Sequence, residues 1–194
     1  IALKNVGKKN EALQQLSRLV ASGSQEPAVY LNLGLLRYER REYRPALEAF
    51  AQAAKLDPGN ASAHYNLGLC ARQLGDQKQA KEAFQKAVEL NPASANARIN
   101  LGAIELDEGN LPAAVEHFAA ALKAALDEVE SALAAGDFAR AERGLTQARS
   151  INPLSPRALD LSQRTRVMRD EKVKQLLDDA LVLRRAHRYL EAER

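Results

Sequence analysis

Apolar positions in this chain recur at three- and four-residue intervals, and the punctuation between them recurs every 34 residues. Leu33-Gly34, Leu67-Gly68 and Leu101-Gly102 stand 34 apart, as do Ala46, Ala80 and Ala114, then Phe50, Phe84 and Phe118, then Ala53, Ala87 and Ala121. Asp57-Pro58 and Asn91-Pro92 close the first two units at the same interval. Spacings of three and four predict amphipathic helices. In the first unit one helix carries Val29, Tyr30, Leu33, Leu35 and Leu36. A second carries Ala46, Leu47, Phe50, Ala53 and Ala54 and stops at the turn signal Asp57-Pro58-Gly59-Asn60. A fixed period of this length predicts stacked helix pairs, each burying its apolar face only against its neighbours.

The small residues have a mechanical reading. Gly34, Gly68 and Gly102 fall on the first helix where the second helix of the same unit crosses, and Ala46, Ala80 and Ala114 answer from the second. Each Phe then fills the gap towards the next unit. Gly75-Asp76 and Gly109-Asn110 mark the turn inside a unit, where glycine accepts a positive φ at the helix end.

The flanks belong to the same array but break its period. Gly7, Ala12, Leu16 and Leu19 read as the second half of a preceding unit, so the chain is expected to start inside a repeat. Gly136-Asp137, Ala141, Leu145, Ala148 and Asn152-Pro153 form another unit, arriving 27 residues after its predecessor. The missing seven residues are two helical turns, and no Pro or Gly lies between Ala113 and Ala135. One fused helix over roughly 112–135 is therefore expected; the rival is a short break at Asp127, which with Glu130 makes a capping box. After Pro156 a long helix is expected, with a turn near His187 and the opening of one more second helix at Tyr189 and Ala192. The chain is expected to be part of a longer protein.

These residues resemble the tetratricopeptide repeat. The family pattern places an aromatic, Leu-Gly and then Tyr on the first helix, and Ala, Phe, Ala and a closing Pro around the second. Leu-Gly, Ala, Phe, Ala and Pro match over 27–121. The leading aromatic position holds in turn Tyr30, His64 and Arg98, and the Tyr position Arg37, Ala71 and Glu105. The resemblance implies an all-α fold: a right-handed α-solenoid of antiparallel helix pairs, with long helices interrupting the period in the C-terminal third. The units expected are 1–26, the second half of a preceding repeat; 27–60 and 61–94, full repeats; 95–126, a repeat fused by a continuous helix to the next; 127–155, a shortened repeat; and 156–194, the long helix and start of a further unit.

Composition narrows the function. Apolar residues make up 46% of the 194, Trp is absent and aromatics are 5%, so close helix packing over Ala must replace large rings in the interior. The 28 basic residues are interspersed with 25 acidic ones, with no like-charge run and no aromatic–Arg interleaving, which speaks against nucleic acid. No apolar stretch approaches the roughly 18 residues needed to span a bilayer, so no direct membrane insertion is expected. Cys70 is alone and reads as a small core residue. The compartment stays open between cytoplasm and periplasm. Alanine and arginine richness points by analogy to a bacterium, where such arrays serve envelope, pilus or secretion assemblies.

Candidate chemistry is sparse. His64, His117 and His187 occupy different positions of different units, without a second His or Cys at ligand spacing. His64 reads as a packing residue, and Asp127, Glu128 and Glu130 as a solvated face. No phosphate loop or nucleophile motif is present. No enzyme activity, metal or cofactor is expected.

The informative constellation is a ladder. The first helices line the concave wall of the stack, and Asn32, Asn66 and Asn100 recur there two residues before each glycine. A carboxamide can pair with a backbone N–H and C=O together. Beside the ladder, Leu31, Tyr65 and Ile99, with Leu35, Leu69 and Ala103 one turn on, offer apolar pockets, while Tyr38 and Arg72 add a polar rim. The bland alternative is that each Asn only bonds its own helix. The ladder resembles the asparagine row with which protein O-GlcNAc transferases grip substrate backbone. The dicarboxylate clamp of co-chaperone repeats is not matched, because its positions hold Leu31 and Leu35, Asn66, then Asn96 and Asn100. The leading expectation is a non-enzymatic scaffold holding an extended or helical segment of another protein. The alternatives are a self-assembling structural scaffold, in which exposed Leu133, Leu176 and Leu177 need covering, and the substrate-recruiting arm of a larger enzyme.

Overall fold

The computed structural model describes the backbone of residues 2–192 and the side chains of residues 8–175. The described chain is all-helical: α1 (Ala2–Ala21), α2 (Pro27–Glu39), α3 (Tyr43–Leu56), α4 (Ala61–Gln73), α5 (Gln77–Leu90), α6 (Ala95–Asp107), α7 (Leu111–Ala134), α8 (Phe138–Ile151) and α9 (Pro156–Ala192). It divides into two compact units, residues 1–121 and 122–194, and the division falls inside α7.

In the first unit α2 pairs with α3, α4 with α5, and α6 with the start of α7, as an α-solenoid. Local chemistry sets the helix ends. The side chains of Asn60, Asp76 and Ser94 accept the backbone N–H groups of Ala63, Gln79 and Ala97 at 3.0, 2.9 and 3.4 Å, satisfying amides the first turn leaves open. Gly75 and Gly109 take φ of 80° and 79° at the turn within each pair. Arg41 holds the same place in the first pair at φ 62°, a conformation unfavourable for any residue with a Cβ.

Each pair is closed by a Phe lying on a Gly. A Cβ built on Gly34 would stand 2.6 Å from the Phe50 ring, one on Gly68 2.7 Å from Phe84, and one on Gly102 3.0 Å from Phe118. The contact at the crossing is thus Gly to Phe of the same repeat, nearer than the Gly–Ala approach the spacing suggested. The rings also reach forward: Phe50 packs with Cys70, and Phe84 with Leu101 and Ile104.

The leading aromatic position has one job in all three repeats, whether an aromatic fills it or not. Tyr30 Oη donates to the Ser24 carbonyl at 2.9 Å, His64 Nε2 lies 3.1 Å from the Pro58 carbonyl oxygen, and Arg98 Nε donates to the Pro92 carbonyl at 2.9 Å. Three different side chains thus tie the first helix to the carbonyl six residues back. The replaced Tyr position is filled in three ways. Arg37 donates to the Pro45 carbonyl at 3.1 Å, Ala71 is fully buried, and buried Glu105 is held by Lys81 at 2.8 Å and by Asn110 Nδ2 at 2.8 Å.

The second unit has its own core: Ala125, Leu126, Val129, Ala132 and Leu133 from α7, Ala141, Leu145 and Ala148 from α8, and Ala158 and Leu161 from α9. The glycine contact is inverted here, since a Cβ on Gly144 of α8 would meet Val129 of α7 at 2.7 Å. Two expectations are corrected. Leu133 is 3% exposed, because α8 and α9 cover it, and so offers no open apolar end. The rival to a fused helix, a break capped by Asp127 and Glu130, does not form: beyond Pro112, α7 contains no Gly or Pro and runs unbroken. Those carboxylates instead bind Arg157 at 2.9 and 3.0 Å, and Glu128 pairs with Arg140, so the acidic cluster is a paired face. The turn near His187 is also absent: α9 contains no Gly and, beyond Pro156, no Pro, and stays helical to Ala192. The side chains of Leu176, Leu177, His187 and Tyr189 lie outside the described residues.

Candidate functional site

The helix period brings the ladder positions to matching places on α2, α4 and α6, but their side chains are not equivalent. Asn32 is exposed. Asn66, half-buried, spends one amide proton on the Ser62 carbonyl at 2.8 Å. Asn100 is 8% exposed and fully engaged: Nδ2 donates to the Asn96 carbonyl at 2.8 Å, and Oδ1 accepts from Arg72 Nη1 at 2.5 Å. Asn66 and Asn100 thus each spend part of their hydrogen bonding on their own helix, Asn100 is further closed by Arg72, and Asn32 stays open.

Closure comes from a polar seam that links successive first helices. The Arg72 guanidinium of α4 reaches Asn100 of α6, while the Gln73 side chain of α4 acts on the Tyr38 hydroxyl of α2 and the Asn100 side chain of α6 on the Tyr65 hydroxyl of α4, each favouring the ionised form slightly. Burial raises the pKa of both tyrosines, with the Tyr43 ring adding to the rise at Tyr38 and Tyr38 adding to it at Tyr65, so both hydroxyls keep their protons. Arg72, near both rings, acts in the opposite sense. Tyr38 also meets the Tyr43 ring edge-on, with centroids 5.4 Å apart.

The apolar members are more buried than a row of open pockets would be. Leu31 packs on Ala46 and Phe50 and on Ala53 and Ala63. Tyr65 and Leu69 pack on the cluster of Phe84, Leu101 and Ile104, the two rings tilted at 5.8 Å. Ile99 and Ala103 are half-buried; Leu35, at 40% exposure, is the most open. Ala103 also lines a cleft of about 160 Å³ with Arg72, Gly75, Gln77, Ile104 and Asp107.

Residues of possible chemical use are accounted for by packing. Cys70 is fully buried, and desolvation pushes its thiol up to about 12. His117 Nδ1 is buried without a hydrogen-bond partner among the described residues. No group of three or more His, Cys, Asp or Glu able to hold a metal occurs among the described residues. No described helix is long and apolar enough to cross a membrane.

Comparison with known proteins agrees with this geometry. Residues 61–94 match the family model of the tetratricopeptide repeat. No curated protein matches the chain in sequence. Among solved structures, MamA is 27% identical with a TM-score of 0.58, covering 62% of this chain and 71% of its own. YrrB, described as a TPR protein with an unusual peptide-binding site, is 25% identical with a TM-score of 0.56, covering 84% and 87%. PilF of Pseudomonas aeruginosa, 22% identical with a TM-score of 0.52 over 78% and 72%, shares the fold. The period, the Gly–Phe crossings and the family match agree that residues 61–94 form a tetratricopeptide repeat and that the chain has the α-solenoid fold of proteins built from such repeats.

Proposed function

We propose that the face formed by α2, α4 and α6 binds an extended segment of another protein, and that the chain is a binding scaffold rather than a catalyst. The observation that carries this reading is the state of the first two rungs. Asn32 is exposed, and Asn66 keeps Oδ1 and its second amide proton after bonding Ser62. Each can therefore meet a peptide N–H and C=O together. Leu35, Tyr65 and Leu69 supply apolar contact beside them. The similarity to YrrB, with its described peptide-binding site, supports the same reading.

The test is capture of a partner from the source organism by wild type and by N32A/N66A, after circular dichroism shows equal helicity. Loss of two backbone-directed hydrogen bonds should weaken capture about tenfold or more. Equal capture by both overturns the reading.

A second reading, self-association, is favoured by one observation: α9 leaves Leu159, Val167 and Val173 about half exposed. Sedimentation over a range of concentrations checks it, and a mass fixed at that of one chain removes it.

A further inference from the structure

We infer that Arg72 converts the third rung into a carboxylate site, so that the face selects partner segments carrying an Asp or Glu side chain beside α6. This rests on the peptide-binding reading above and adds the chemical class of the segment.

The closed rung is the starting point. Asn100 has given an amide proton to the Asn96 carbonyl and its oxygen to Arg72, and the side chain is buried. What a partner meets at this level is the exposed guanidinium of Arg72. One of its five N–H donors is used, on a neutral oxygen. The cation is therefore held in place without being neutralised. Lys81, Arg140, Arg157 and Arg169 all hold carboxylates at short range, whereas Arg72 forms no ion pair among the described residues. Asp107 lines the same small cleft but stands beyond ion-pair distance.

The surroundings suit a carboxylate. The guanidinium fork matches two carboxylate oxygens, and a side chain pinned beforehand loses less freedom on binding. The Tyr38 and Tyr65 hydroxyls beside it stay protonated. Register follows from helix spacing. Neighbouring helices pack roughly 10 Å apart and an extended chain advances roughly 3.3 Å per residue, which puts the acidic side chain about three residues from the one held at Asn66.

The test is an array of short random peptides anchored through their C-termini, so that no free chain end can serve as the carboxylate. It is probed with wild type and with R72Q, whose melting temperatures are compared first. The expected result is enrichment of Asp or Glu at one position among wild-type binders, and about tenfold weaker binding of those peptides by R72Q. Binders of the same composition for both proteins overturn the inference and leave the face itself standing. Absence of any binder, acidic or neutral, overturns the peptide-binding reading and this inference with it.

Discussion

Phe84 lies so close over Gly68 that a methyl group on residue 68 would sit 2.7 Å from its ring, and the ring, fully buried, has no room to withdraw. The same contact at 2.6 Å joins Gly34 to Phe50, whereas Gly102 and the less buried Phe118 leave 3.0 Å. Overpacking of this kind costs about 1–3 kcal/mol, offset in part by about 1 kcal/mol of helix propensity when Ala replaces Gly. Urea unfolding of G34A, G68A and G102A should therefore show the first two destabilised and G102A the least affected. Equal midpoints for all three would mean that the rings yield freely.

Arg41 should be replaceable with profit. It occupies, at φ 62°, the turn position that Gly75, Gly109 and Gly136 hold elsewhere, and its side chain is exposed. R41G should raise stability by about 1 kcal/mol by relieving the left-handed strain. G75A should lower it by a similar amount, with no steric contribution, since nothing lies within 4 Å of an added Cβ. Thermal melts of the two variants in parallel check both signs.

The tie from His64 to the Pro58 carbonyl predicts a pattern of tolerance. H64L should lose about 1 kcal/mol, the net worth of one hydrogen bond. H64Y should keep most of it, because Tyr30 makes the same tie one repeat earlier. Denaturant midpoints of the two variants distinguish a hydrogen-bonding role from mere packing, for which Leu would serve as well as Tyr.

The Lys81–Glu105 pair predicts acid sensitivity. The hydrogen bond from Lys81 holds the Glu105 carboxyl below its ordinary value near 4.5, with Asn110 acting in the same direction against the opposing effect of burial. A lowered folded-state pKa means stabilisation present above the ordinary value and lost as pH falls through the folded one. Melting temperature should therefore drop on acidification below the ordinary glutamate range, and drop less in E105Q. Identical acid profiles would show that the pair carries no linkage.

Features that depend on local spacing were legible in the sequence. The 34-residue period located the helix pairs. The absence of Gly and Pro between Ala113 and Ala135 goes with the unbroken α7. What stayed hidden depends on contacts between residues far apart in the chain. Arg72 meets Asn100 across 28 positions, and Lys81 meets Glu105 across 24, with no motif to announce either. Leu133 looked like an open end because Ala158 and Leu161, which share its core, lie beyond the repeat pattern. His64 and Arg98 looked like lapses of an aromatic position, and only the carbonyls at Pro58 and Pro92 show what they replace.

The most direct test places a photo-crosslinkable residue at Leu35, on the proposed binding face, and separately at exposed Gln85 on α5. Binding along α2, α4 and α6 predicts a partner adduct from position 35, lost when N32A/N66A is added, and none from position 85. An adduct from position 85 with none from position 35 would contradict it and move the working surface to the second helices.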